Sequence, residues 1–544
     1  MKKLRRLTAI TLSIALTLSL TACGKPDEQQ GSTGTATSST PARGEAKKAK
    51  IVILNPGDLY AGDTDNQVVL EEIKKRFKAD KNIDLDIEAI DLPWAGYPEK
   101  VKLKLGSGEQ VDSVPIWADE AKVLISNGLI QPMDELLEKH GQNIKKLVPR
   151  DAWKFVYTNG KIHGLPRIIS DRNTTGIFIR ADWLEKYNLK MPTTADELLS
   201  VLKVFKEKDP AGNGNTIPIM TTLMYETFGT NFIGLVLNLF DVHDFIDKDG
   251  LLKPKFLNPN FKAAAEYSRT IYTQGLISKD YFSMKKNDDK NRIKQGTVGV
   301  FTSKLGNLYD GSDAFLMNTR KVAPEAKFEL VTMKDNKGKL ATSLADLSSD
   351  FIMIPANSKN AEVVIQYYDW MCASKDNFNL VNYGIENKHW KKAGDRIDIL
   401  SEGGPSQQDN KVYSGFYSGM FDMFGLQGYG RAIEANYINY KYADAEKQKL
   451  HDSDRLPKLK QLINADLPKR ETYGFTASRD GVAQETYNNR LNLVITAVSK
   501  FIAGTANYDE VQKAIDAYAK NPGGPEEIQQ MNDQFKAWGK LNMK

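Results

Sequence analysis

Three tryptophans stand in or beside stretches that read as loops: Trp94 in Leu-Pro-Trp-Ala-Gly-Tyr, Trp117 at the end of a short apolar run, and Trp390 after Asn-Lys-His. A flat indole suits the apolar side of a sugar ring, and small-molecule pockets combine apolar walls with a few placed polar groups. Those polar groups are expected on loops that follow strands, where open α/β sheets bind their ligands. Asp58 and Tyr60 follow the first strand, Arg167, Asp171 and Arg172 lie in the crossing between two strands, Lys304 follows the Val298 strand, and Asp350 lies just before another. Trp390 directly precedes Lys391-Lys392, which predicts polar surroundings for its ring. Trp183, Trp370 and Trp538 sit in helical patterns among apolar residues and read as core, whereas Trp153 reads either way.

Bond-breaking chemistry finds no template. There is no H-E-x-x-H, G-x-S-x-G, Walker or G-x-G-x-x-G pattern. The five histidines (His140, His163, His243, His389, His451) are far apart, and none is paired at metal-ligand spacing. Pairs such as Asp346 with Asp350 arise by chance among 69 acidic residues, and a glycosidase needs two carboxylates flanking one bond. Asp209-Pro-Ala-Gly-Asn-Gly214 has the form of the front of a calcium loop, with Asp209 and Asn213 as oxygen donors. Ala211 supplies no side-chain oxygen at the third position, and Ile217 and Met220 occupy the ninth and twelfth. Termination of the preceding helix is the expected role, with calcium as the alternative. No other cofactor is expected.

The elements that must position these residues begin after a leader. Lys2, Lys3, Arg5 and Arg6 precede the apolar run Leu7 to Leu20, and Leu20-Thr21-Ala22-Cys23 has the form of a lipobox. The 14-residue run is short of the roughly 20 residues that span a bilayer. Residues 1–22 therefore read as a signal peptide, and the resemblance to bacterial lipoprotein signals implies that Cys23 is acylated. Residues 23–50, rich in Ser, Thr, Gly, Lys and Gln, read as the acylated cysteine and a flexible tether. Loss of the four leader cations takes the formal charge from +5 to +1, which gives no electrostatic case for nucleic acid. Only Cys372 then remains; it shares a helix face with Ile365 and Tyr368 and reads as a buried, inert thiol.

At 544 residues the chain exceeds what one core supports, and 41% hydrophobic with 26% charged residues is ordinary globular composition. Ile51 to Leu54 reads as a strand, Val69, Ile73 and Phe77 as one helix face, and the alternation Ile83, Leu85, Ile87, Ala89 as the next strand, the opening of a parallel α/β sheet. Val114 to Trp117, Val298 to Phe301 and Phe351 to Ile354 read as further strands, residues 219–274 as mostly helical, and Leu491 to Trp538 as a helical tail packing across the lobes. The stretch Gly415 to Gly430, aromatics interleaved with glycines, reads as a cleft edge or a packed irregular loop.

One segment organises the rest. Asn159-Gly160 is a turn, Ile162 to Pro166 and Ile177 to Ile179 read as strands, and Thr194 with Glu197 forms a capping box ahead of an apolar face of Leu198, Val201, Leu202 and Phe205. The order NGK, His, GLP, strand, R-x-DWL, PTT-x-x-EL, helix, DP-x-GNG resembles the family 1 extracellular solute-binding proteins of ABC importers. Gly106 to Asp112 resembles that family's SG-x-x-PD turn with Val111 in place of Pro, Gly128 to Asp134 its GLI-x-PLD, and Gly384 to Trp390 the GIEGKHW of its longer, oligosaccharide-binding branch.

The resemblance implies a two-lobe, periplasmic-binding-protein-like (type II) α/β fold with the ligand cleft between lobes. Lobe 1 is expected over 51–168 plus about 350–400, and lobe 2, richer in helix, over 169–349 plus about 401–544. It implies a lipid-anchored monomer on the extracytoplasmic face of a bacterial cell membrane, binding an oligosaccharide or sugar conjugate, partnering ABC permease subunits and catalysing nothing. Ligands of another class, peptide or lipid-derived, remain open at this point, as do a surface carbohydrate-active enzyme and an adhesin or signalling module.

Overall fold

A computed structural model of the chain describes residues 45–56, 64–93, 95–148, 150–166, 175–221, 232–285, 287–309, 313–341, 350–394, 396–400, 438–439, 445–463, 475, 477 and 481–539. Ile51 to Leu54 are buried, as expected of a strand covered on both faces, and form the centre of β1 (Lys47–Pro56). The strand starts at Lys47, so the stretch read as tether gives Lys47 to Lys50 to the sheet. The helix Thr64–Lys81 buries Val69, Ile73 and Phe77, and β2 (Ile83–Leu92) returns parallel to β1 with Ala89 opposite Ile53. β3 (Val114–Trp117) lies on the other side of β1, tied by Leu54 N–H donating to Ser113 O at 2.9 Å.

Asn159 and Gly160, at φ 53° and 81°, turn the hairpin of β4 (Tyr157–Thr158) and β5 (Lys161–Ile162). β6 (Leu165–Pro166) follows. The single strand expected over 162–166 is thus divided, because β5 pairs within the hairpin while β6 pairs with a strand from much later in the chain.

The chain next forms β7 (Thr175–Arg180), β8 (Ile217–Thr221), the short pair β9 (Phe245–Ile246) and β10 (Leu252–Lys253), β11 (Val298–Lys304) and β12 (Phe328–Val331). One sheet has the order β12-β7-β11-β8. The helical reading of 219–274 fails at its start, since Ile219 sits in β8 opposite Val300 of β11. A short apolar run does not tell strand from helix by period. β13 (Asp350–Met353) inserts between β3 and β6, antiparallel to both. The first sheet therefore runs β2-β1-β3-β13-β6. The remaining described strands, β14 (Trp390–Ala393), β15 (Arg396–Ile399) and β16 (Ile438–Asn439), form a small sheet of their own.

Buried apolar side chains gather into two clusters, one drawn from residues 51–165 and 351–399, the other from 177–341 and 459–518. Each main sheet holds one strand antiparallel to the rest, and in each it is the strand by which the chain arrives from the other cluster: β7 follows β6, and β13 follows β12. The C-terminal helices Gly481–Ile502 and Tyr508–Lys520 bury Val494, Val498, Val511 and Ile515 in the second cluster. The last, Gly524–Gly539, reaches the first: Trp538 Nε1 donates to Lys154 O at 3.0 Å, and the Lys154 ammonium lies 4.9 Å from the indole centre. Trp153, Trp183, Trp370 and Trp538 are all buried.

Candidate functional site

Strand register brings the expected positions to two sheet edges. Trp117, the last residue of β3, stands opposite Asp350, the first of β13, and Pro166, the last of β6, stands opposite Phe351. Pro56 and Leu92 end β1 and β2 as partners. In the second sheet Lys304, the last residue of β11, is opposite Thr175, the first of β7, and Thr302 is opposite Thr221, the last of β8. Both edges are the carboxyl ends of the parallel strands, the side on which open α/β sheets bind ligands. They are also the edges at which the chain passes from one core to the other.

Trp117 is half-buried, held edge-on against Tyr97 with ring centres 5.4 Å apart, and it precedes the helix Ala118–Ser126. Tyr97 is itself fixed by its hydroxyl donating to Pro115 O at 2.8 Å. Trp117 therefore has a ring held in place by Tyr97 and only partly buried, which is what a stacking platform requires. Lys304 is half-buried at its strand end. Asp58, Tyr60, Trp94, Arg167, Asp171 and Arg172 lie outside the described residues, as do the side chain of Asp350, Cys23 and the stretch Gly415 to Gly430. In sequence Asp58 and Tyr60 follow β1, Trp94 follows β2, and the two arginines and Asp171 follow β6.

Trp390 departs from its expectation. Its surroundings are core: the side chain is 2% exposed and belongs to the first apolar cluster, and Nε1 donates to Gly384 O at 2.8 Å. Lys391 and Lys392 are exposed on opposite faces of the strand, so burial in β14 is confined to its first residue, Trp390. The neighbouring His389 is buried too, its Nδ1 accepting from Ile385 N–H at 2.9 Å. In the NGK-IHGLP stretch, His163 is 7% exposed and burial lowers its pKa, so the ring is neutral at neutral pH.

Asp209 ends the helix Ala195–Lys208 in the left-handed region at φ 43°. Its carboxylate is occupied by the loop itself. The Thr216 hydroxyl, then the N–H groups of Gly214 (2.6 Å) and Thr216 (3.1 Å), hold its pKa below the usual range. No group of three or more acidic, His or Cys side chains among the described residues is placed to hold a metal. With the Asp209 carboxylate engaged by its own loop, and Ala211 and Met220 supplying no side-chain oxygen at the third and twelfth positions, chelator is expected to change the melting temperature little. A site with calcium at 100 times its Kd would instead contribute about 2.7 kcal/mol, and a calcium-dependent rise of that size in a thermal melt would refute the reading.

Two buried polar residues escape a pattern search, one at the first of these edges and one at the opposite end of the second sheet. Asn55, one position before the end of β1, is 0% exposed, and its only signal is a polar residue closing an apolar run. Arg180, at the end of β7, is 1% exposed; the Asp182 two residues on is the hint that it is paired rather than solvated.

The model of the bacterial extracellular solute-binding protein family matches residues 61–377, more than half of the chain. The polygalacturonan/rhamnogalacturonan-binding protein YtcQ of Bacillus subtilis is 24% identical over 398 residues, covering 70% of this chain and 72% of that protein. Lipoprotein LipO of the same organism is 22% identical over 473 residues, covering 83% and 86%. Among solved structures, an HMO-binding, ABC-transporter-associated solute-binding protein from Bifidobacterium longum infantis superposes with a TM-score of 0.63 at 16% identity, over 91% of this chain and all of that one. Likeness at this identity is likeness of fold: two α/β lobes of the type II periplasmic-binding-protein kind.

Proposed function

The chain belongs to the bacterial extracellular solute-binding protein family, and from that premise we propose that it captures an oligosaccharide or sugar conjugate between its lobes and delivers it to the permease of an ABC importer. The observation that carries this reading is the pair of sheet edges. Both carboxyl ends lie where the chain crosses between cores, and one presents a locked, half-buried Trp117. The names of the relatives, with polygalacturonan, rhamnogalacturonan and HMO among their ligands, support a saccharide. Lobe 1 comprises 51–168 with about 350–400 and lobe 2 comprises 169–349 with about 401–544, a division supported by the two apolar clusters. Ligand binds the closed arrangement better than the open one, and that difference in affinity drives closure.

A thermal-shift screen over fructo-oligosaccharides, milk oligosaccharides and fragments of polygalacturonan and rhamnogalacturonan tests the reading. A rise in melting temperature with one glycan class and no change in that glycan supports capture without catalysis. Turnover of the glycan would replace the receptor by an enzyme, and indifference to every glycan would move the ligand to another solute class.

The lipid anchor is part of the same proposal. It rests on Leu20 to Cys23, on the tether that follows and on the similarity to a lipoprotein; no described helix is long and apolar enough to cross a membrane. The mature protein is expected to leave membranes with detergent but not with salt, and Cys23→Ser to be released without detergent. A Cys23→Ser chain that still sediments with membranes would contradict acylation as the anchor.

A further inference from the structure

Asn55 is completely buried, and its Oδ1 meets no donor among the described residues. Asn532, equally enclosed at 2% exposure, shows what a buried carboxamide ordinarily does: Oδ1 accepts from Leu252 N–H at 2.7 Å, and Nδ2 donates to Leu252 O and Ile528 O. A buried acceptor left unmade costs free energy with no return in folding, which leaves this oxygen available for a role outside the fold. The direction of the carboxamide is set by Asp91, its partner in the β1–β2 ladder, whose Oδ1 faces Asn55 Nδ2 at 3.5 Å. With the amino group turned to that carboxylate, Oδ1 is left facing away as a pure acceptor. Its place is one residue before β1 ends, on the same carboxyl edge that carries Trp117.

We propose that Asn55 is a ligand-contacting residue, its Oδ1 accepting a hydrogen bond from a hydroxyl of the captured solute. The partner must be a donor, so a sugar hydroxyl fits and a carboxylate or phosphate oxygen does not, the more so with the Asp91 carboxylate alongside. The inference rests on the oligosaccharide reading above and adds to it a specific acceptor in the first lobe.

The test uses Asn55→Leu, which keeps the branched outline and the number of heavy atoms and removes the orphan, and Asn55→Ser, which keeps an acceptor oxygen. The probe is the panel glycan that gives the unmodified chain its largest thermal shift, titrated by calorimetry, with melts of each variant alone. Asn55→Leu is expected to melt at or above the unmodified chain, since an unsatisfied polar group has gone, and to bind that glycan roughly 10- to 100-fold more weakly. Asn55→Ser should recover part of the loss. Unchanged affinity in Asn55→Leu, with the unmodified chain binding normally, overturns the proposal alone. So does lowered stability in both variants with unchanged affinity per folded molecule, because Asn55 is then structural. If no panel glycan shifts the unmodified chain, the oligosaccharide reading has failed, and this inference falls with it.

Discussion

Trp390→Ala is expected to cost about 3–5 kcal/mol of folding free energy and to leave affinity per folded molecule unchanged. The indole is 2% exposed, packs within the first apolar cluster, and closes its own loop by donating from Nε1 to Gly384 O at 2.8 Å. Gly384 follows the helix Lys375–Tyr383 at φ 84°, and Asn387, at φ 65°, donates its N–H back to Trp390 O at 2.6 Å. The side chain thus staples a turn that joins the helix to β14, and truncation removes both the packing and the staple. Denaturant melts followed by far-UV circular dichroism, paired with glycan titration of the same samples, check both halves of the expectation. A fall in affinity without a fall in stability would return Trp390 to the ligand site. Trp117→Ala gives the contrasting case. Half-buried at a sheet edge, it should lose affinity by more than it loses stability.

The stretches that make the family legible are the ones that tie chain to chain. Asn159-Gly160 turns a hairpin that requires two positive φ angles. Asp112 of the Gly106 to Asp112 turn accepts from Val52 N–H at 2.9 Å and from the Ser358 hydroxyl at 2.7 Å, joining β1 to the segment after β13. Gln131 of the Gly128 to Asp134 stretch donates to Ile354 O at 3.1 Å and to Pro355 O at 2.7 Å. Thr194 caps its helix by accepting from Glu197 N–H at 3.3 Å, although Glu197 reaches back to Thr193 N–H at 2.8 Å rather than to the cap residue itself. Each is a local geometry that few residue types satisfy, so each leaves a readable mark. Ligand contacts are made by single side chains on loops after strands, with no period and no obligatory backbone angle. Trp390 differs from its sequence expectation because a tryptophan beside two lysines has the same appearance in sequence whether its ring enters the core or stays at the surface. Asn55 shows the converse, because only burial and hydrogen-bond accounting separate it from any other residue ahead of a turn.

Arg180→Ala should be at least as damaging, at about 3–5 kcal/mol, although no ligand is involved. Arg180 ends β7 with 1% of its side chain exposed. Its Nε donates to Asp182 Oδ1 at 2.8 Å and Nη2 to Oδ2 at 2.5 Å, a two-pronged pair, while Nη1 donates to Gly296 O at 3.0 Å and the guanidinium lies 4.4 Å from the Trp183 ring centre. Removing the arginine leaves the Asp182 carboxylate, only 9% exposed, with the Lys327 N–H at 3.2 Å in place of that pair, and strips Gly296 O of this donor. The penalty belongs to the stranded charge more than to the lost attraction. Arg180→Lys should therefore rescue little, because one ammonium cannot supply the fork, the third bond and the stacked plane together. Arg180→Met combined with Asp182→Asn should be less destabilised than Arg180→Ala alone, since neither partner is left as a buried charge. Guanidinium melts of the three variants decide the matter. If the double substitution is the worst of them, the pair contributes net attraction rather than mutual neutralisation. If Arg180→Ala melts like the unmodified chain, the R-x-D-W stretch does not hold the end of the strand by which the chain enters its second lobe.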